Sequence, residues 1–170
     1  MNAMKKSGFF LSIFLVFSIF LNAAESNKAE IRVLTSTPFE TILEINFPPI
    51  QTEGFDAQII KMGELEVLEK DGFPPLPYVS GIIAISDRGS FSGEVGKIDE
   101  YSIHLRKPIS FSIDAYPEKQ LYLDTPQILR DYRILRFQFL PVQYVPESNE
   151  IRITRSATIR ITMTGSKGKN

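Results

Sequence analysis

The sequence contains no cysteine, no tryptophan and a single histidine among its 170 residues. Without a thiol there is no thiolate nucleophile, no cysteine-based metal site and no lipidated cysteine. Disulfides are available to exported proteins, yet this chain has none, so its stability rests on its core. The one histidine, His104, lies between Ile103 and Leu105 and reads as a solvated residue on the polar side of a strand. A zinc site would need three or four protein ligands. Dinucleotide and Walker loops are also missing. "GSFSG", Gly89 to Gly93, places Phe91 where a nucleophile elbow has serine. Beside Asp87 and Arg88 it reads as a hairpin turn. Asp99 and Glu100 are adjacent, hence on opposite faces of a strand, and do not make an acid–base pair. No catalytic residue, metal site or cofactor is expected, and the chain is not expected to be an enzyme by itself.

A long membrane-spanning run is lacking too. Lys5 and Lys6 precede an apolar stretch from Gly8 to Leu21, 14 residues long, followed by "NAAES". That is short of the roughly 20 residues needed to cross a bilayer, and its flanks are those of a secretory signal peptide. The expected division is 1–24 signal peptide, 25–164 one β-sandwich domain and 165–170 a polar tail. Export places the mature chain in a secreted, periplasmic or cell-surface setting, with no membrane contact after signal cleavage. Removing Lys5 and Lys6 from the 19 basic residues leaves 17 against 20 acidic ones, a formal charge of −3. Such a mild, mixed balance speaks against nucleic acid as a partner.

Helical periodicity is scarce, because 11 prolines interrupt the chain. Only "TPQILRDY", Thr125 to Tyr132, predicts one or two helical turns, with Thr125 as cap and Pro126 at the first position. Strand signals dominate. From Ile151 to Met163 the odd positions are apolar apart from Arg155, and the even ones are polar, which predicts a strand with one buried face. "FETILEINF" predicts Phe39, Leu43, Ile45 and Phe47 inward. "YSIHL" and "ISFSI" add Tyr101, Ile103, Leu105 and Ile109, Phe111, Ile113; "AQIIKM", "LEVLE" and "GIIAIS" are shorter candidates. "YRILRFQFLPV" is apolar on both faces, as a central strand would be. Turn signals at "EGF", "DG", "DRGSFSG", "YPEK" and "VPESNE" punctuate these runs. The fold class expected is all-β, an antiparallel β-sandwich of short strands.

Two stretches carry more than fold information. "DGFPPLPYVSGIIAIS" contains Pro74 and Pro77 in a P-x-x-P spacing, the pattern of polyproline ligands. It runs without a linker into an apolar strand of an exported chain, so it reads as a rigid corner rather than a docking peptide. "YRILRFQFLPVQYVPESNEIRITRSATIRI" contains an arginine-rich strand, then P-V-Q-Y-x-P, a turn and the long alternating strand. Together, with Gly72, Pro74, Leu76, Pro77, Pro141, Gln143, Tyr144 and Pro146 as signature positions, they resemble the N-terminal propeptide of gingipain-type cysteine peptidases, family C25.

That resemblance implies a secreted prodomain that keeps a C25-type peptidase domain latent and assists its folding. The chain carries no catalytic domain of that family, so no catalytic residue is carried over; its partner would be a C25 catalytic domain encoded elsewhere or separated from it. Because gingipain-like peptidases select arginine or lysine, the resemblance points to a basic residue on an exposed loop as the cleft contact. Arg88 in "SDRGS" fits best, with Arg106 and Lys107 second. The alternative is a secreted or cell-surface β-sandwich binding or structural module with no link to proteolysis. It would favour an exposed aromatic platform, and the sequence lacks tryptophan and places most Tyr and Phe inward.

Overall fold

The alternation from Ile151 onward builds the strand around which the rest is arranged. In a computed structural model, residues 26–51, 60–105 and 115–165 are described. They form twelve strands: β1 (Glu30–Ser36), β2 (Glu40–Asn46), β3 (Ile50–Gln51), β4 (Lys61–Met62), β5 (Glu66–Leu68), β6 (Leu76–Ala84), β7 (Ser90–His104), β8 (Leu121–Leu123), β9 (Gln127–Leu129), β10 (Tyr132–Phe139), β11 (Val142–Val145) and β12 (Glu150–Thr164). The expected segments 1–24, "EGF" and "ISFSI", together with Arg106 and Lys107, lie outside the described residues, as does all of the tail except Gly165.

β12 centres the first sheet. One edge pairs along its whole length with β7, and the other is shared by β11 and β2, with β1 beyond β2. The second sheet runs β5–β6–β10–β8, and β9 joins the same edge of β10 as β8. All pairings are antiparallel. Between the sheets, Leu43 and Ile45 of β2 and Ala157, Ile159 and Ile161 of β12 meet Leu135, Phe137 and Phe139 of β10. A second cluster fills the other end with Leu76, Leu105, Tyr116, Leu140, Val142, Tyr144, Ile151 and Ile153. This is the expected antiparallel sandwich, and burying these two apolar layers is its main driving force.

Several local expectations need correction. "TPQILRDY" forms no helical turn: β9 and β10 make a two-residue hairpin, with Leu129 opposite Tyr132 and Arg130 at φ 55. The capping signals are real, but Ile128 and Leu129 have no core to cover as a helix, whereas β10 offers an edge with open hydrogen bonds. Phe39 is exposed rather than inward, because it belongs to the turn before β2. Tyr132 and Arg136 are exposed as well, while Leu135, Phe137 and Phe139 are buried, so β10 buries one face, not two. "DRGSFSG" is no hairpin; it carries the chain from β6 in the second sheet to β7 in the first. The proline corner also pairs: Pro77 lies within β6, opposite Val67 of β5.

Arg155, the one break in the alternation of β12, marks a β-bulge. The β12–β7 register shifts between Thr154 and Ser156 and again between Ala157 and Ile159. The extra residue falls on β12 in the first case and on β7 in the second, so the register is restored beyond them.

Candidate functional site

Among the described residues no group of three or more His, Asp or Glu side chains could hold a metal. His104 is exposed on β7, as expected. Asp99 faces Arg155 at 3.8 Å, and Arg155 lies 4.6 Å over the Tyr101 ring. Tyr101 and Arg155 line a cleft of about 390 Å³ together with Phe47, Pro48, Ile50, Met62 and Ile153. Among the described residues its walls are mostly apolar, and its one cation, Arg155, lies against Asp99.

The turn that carries Arg88 is built differently from an ordinary surface loop. Arg88 is exposed, but the turn beneath it is clamped from β10. The Arg133 guanidinium donates from one nitrogen to the Ser86 carbonyl at 3.1 Å and from the other to the Gly89 carbonyl at 2.9 Å. Its flat face lies 5.9 Å from the Phe91 ring. The Ile85 amide donates to the Arg133 carbonyl at 2.9 Å. Gly89 has φ 86, and a Cβ there would lie 2.8 Å from Cγ of Met163, so only glycine closes this turn against β12. The result is a basic side chain on a fixed backbone. Sequence reasoning selected Arg88 but missed Arg133; a planar five-donor group able to bridge two carbonyls was visible only as part of an arginine-rich strand.

The signature positions converge although 63 residues of chain lie between Pro77 and Pro141. Leu76 and Tyr144 are both fully buried in the same cluster. Tyr144 and Tyr116 exchange backbone hydrogen bonds at 2.9 and 2.7 Å, and Phe73 stacks on Tyr116 with ring centroids 4.4 Å apart. The Lys70 ammonium stands 4.6 Å over the Phe73 ring. The Gln143 amide donates to the Pro117 carbonyl at 2.9 Å, Thr154 N–H donates to the Pro141 carbonyl, and Asn149 N–H to that of Pro146. Gly72, at φ 78, turns the chain into this arrangement. Burial pushes the Tyr144 and Tyr116 hydroxyls up from their ordinary range. Leu76, Pro77, Tyr116, Pro141 and Tyr144 are buried, so these positions act as the fold's internal fastening, with Lys70 and Gly72 exposed at its margin.

Known proteins share part of this sequence and its fold. Residues 111–170 match the family described as Propeptide_C25. Gingipain R1 of Porphyromonas gingivalis is 28% identical across 98% of this chain, and a second gingipain R1, from strain ATCC 33277, is 29% identical across 74%. The chain spans 20% and 9% of the length of these relatives. Among solved structures, the complex of the pro- and mature domains of P. gingivalis RgpB matches with a TM-score of 0.68 at 22% identity, covering 82% of this chain and 86% of the other. A structure on the zymogenic latency of gingipain K from the same organism matches with a TM-score of 0.62 at 12% identity, covering 82% and 95%. The chain thus resembles the C25 propeptides in sequence over residues 111–170, and its fold is that of the gingipain pro-domains.

Proposed function

We propose that this chain is an exported prodomain that holds a C25-type cysteine peptidase domain latent and assists its folding. The observation that carries this is the likeness to the RgpB pro-domain, a fold solved together with its mature domain. The basic, apolar and small-residue order of 1–24 supports export by a cleaved signal peptide, with 25–164 as the working domain. In this reading Arg88 enters the specificity pocket of the peptidase. Its clamped turn supports that role, because a pre-ordered side chain loses less entropy on binding. Arg106 and Lys107 are the second candidates.

The test mixes the chain from residue 25 onward with mature gingipain R1 and follows turnover of a peptide substrate. Saturable inhibition is expected, weakened by Arg88→Ala. In a second arm, the chain replaces the native propeptide ahead of the gingipain R1 catalytic domain, and the product is expected to fold and remain latent. Full activity at micromolar chain in the first arm, with no latency in the second, refutes the proposal.

A further inference from the structure

Cysteine is absent, so sulfur enters the chain only at Met1, Met4, Met62 and Met163. The first two precede residue 25, and the other two stand in opposite surroundings. Met62 is 2% exposed in a core cluster, whereas Met163, near the end of β12, is only partly buried. The main chain at Met163 is fixed: its amide donates to the Phe39 carbonyl at 2.8 Å, and its register partner on β7 is Phe91. Its side chain lies against the 86–89 turn. A Cβ on Gly89 would stand 2.8 Å from Met163 Cγ and 2.9 Å from Sδ, so the thioether is packed flush on the bare glycine. The same turn is held from β10 by Arg133, through the Ser86 and Gly89 carbonyls. It therefore rests on two strands, one contact polar and the other made by an oxidisable sulfur.

We propose that Met163 is an oxidation site, and that its sulfoxide loosens the 86–89 turn. The oxidant is hydrogen peroxide. Its O–O bond breaks as one oxygen passes to Sδ; the sulfur gives up two electrons, and the other oxygen leaves as water with both peroxide protons. The product is a polar, chiral group in place of a flexible apolar one. A thioether can lie against a glycine because it asks for no hydrogen bond. A sulfoxide oxygen needs a donor or water, and holding it in that contact without one costs free energy. Turning it to solvent draws Cγ and Sδ away from Gly89. Either way the turn loses its support on β12 and keeps only the clamp from β10. Burial decides between the two sulfurs, since peroxide reaches Met163 at the surface and Met62 only when the core opens. Under the inhibitory reading above, this puts the presentation of Arg88 under oxidative control; that consequence alone rests on that reading.

The experiment treats the chain from residue 25 with hydrogen peroxide, removes the excess with catalase, and follows each methionine by peptide mass. Met163 is expected to gain one oxygen before Met62 changes. Oxidation is expected to lower the melting midpoint by about 2–4 °C. It is also expected to speed amide exchange at Ile85, which donates to the Arg133 carbonyl beside the turn. The two methionine sulfoxide reductases, one for each epimer, restore both readings. Met163→Leu fills a similar volume and is expected to melt near the unsubstituted chain and to ignore peroxide, while Met62→Leu keeps the response. Met62 oxidised first, an oxidised Met163 with melt and exchange unchanged, or a Met163→Leu chain that still responds overturns the inference. In a second arm, oxidised and unoxidised chains are compared against mature gingipain R1, and inhibition is expected to weaken on the order of 10-fold. Equal inhibition overturns the oxidative control of Arg88. An unoxidised chain without inhibition overturns the inhibitory reading and leaves the oxidation site standing.

Discussion

Arg133 and Gly89 are joined across the sandwich by a guanidinium-to-carbonyl hydrogen bond of 2.9 Å, paired with one of 3.1 Å to Ser86. This clamp separates shape from contact at the Arg88 turn. Arg133→Ala leaves two carbonyls without their donor and is expected to cost on the order of 1–3 kcal/mol in urea unfolding. Arg133→Lys restores only part, because an ammonium cannot present the planar fork. Arg88→Ala, on the exposed tip, is expected to stay within about 0.5 kcal/mol of the parent. Both Arg88→Ala and Arg133→Ala weaken inhibition, one by removing the contact and the other by loosening what presents it. Unchanged stability in Arg133→Ala would sever the link.

Leu76 tests what the proline-rich signature is for. It is fully buried with Tyr144 in one cluster, whereas Pro74 is half-buried in the loop before β6. Leu76→Ala is expected to cost about 2–5 kcal/mol, the range for truncating a buried leucine. Pro74→Ala is expected to cost about 1 kcal/mol or less, through the added freedom of the unfolded chain. Urea midpoints for the two variants decide it: a larger loss at Pro74 would put the weight of the motif in backbone stiffness rather than in the core.

How much of this was legible in the sequence depended on whether the period survived. β12 keeps its phase over 15 residues, so Ile151 to Met163 could be read directly, and its single irregularity, Arg155, fell at the bulge. β7 is equally long, yet only its end, Tyr101 to Leu105, was recognisable. Its inward side chains are Phe91, Val95, Ile98, Tyr101 and Ile103, and the two three-residue steps among them hide the alternation. Both steps come from the bulges, which exist only through pairing with β12. The β9–β10 hairpin was missed for a related reason: Thr125 and Pro126 are sound helix-start residues, and nothing local reveals an edge of β10 in need of a strand. At the candidate site, Arg88 was readable as a turn residue. The clamp by Arg133 was not, since 44 residues separate Arg133 from Gly89.

Gly81 of β6 faces Phe137 of β10, and a Cβ placed on it would lie 2.6 Å from two ring carbons. Strand propensity alone predicts that Gly81→Val stabilises. Packing predicts the reverse, because the ring occupies the space where the side chain would stand. Overfilling a well-packed site costs about 1–3 kcal/mol, more than propensity returns. Gly81→Val is therefore expected to be destabilising, and Phe137→Leu in the same chain is expected to recover part of the loss. A double-mutant cycle in urea gives the coupling energy; additive effects would show that the ring is free to move aside.

Tyr144 and Tyr116 give the domain an alkaline limit. Burial raises both hydroxyl pKa values in the folded state, while the unfolded chain keeps the ordinary value near 10. Below that value both states hold the proton, and the tyrosines add no pH dependence. Above it the unfolded state releases the proton and the folded state does not, so stability falls as pH rises. Each such tyrosine contributes a slope of at most about 1.4 kcal/mol per pH unit between its unfolded and folded values. Tyr144→Phe keeps the ring and removes the ionisation, and is expected to flatten the fall without abolishing it, since Tyr116 remains. Denaturant midpoints taken from pH 8 upward check the sign and the onset, which should lie near 10. An identical alkaline limb in Tyr144→Phe would mean that the loss of stability has another source.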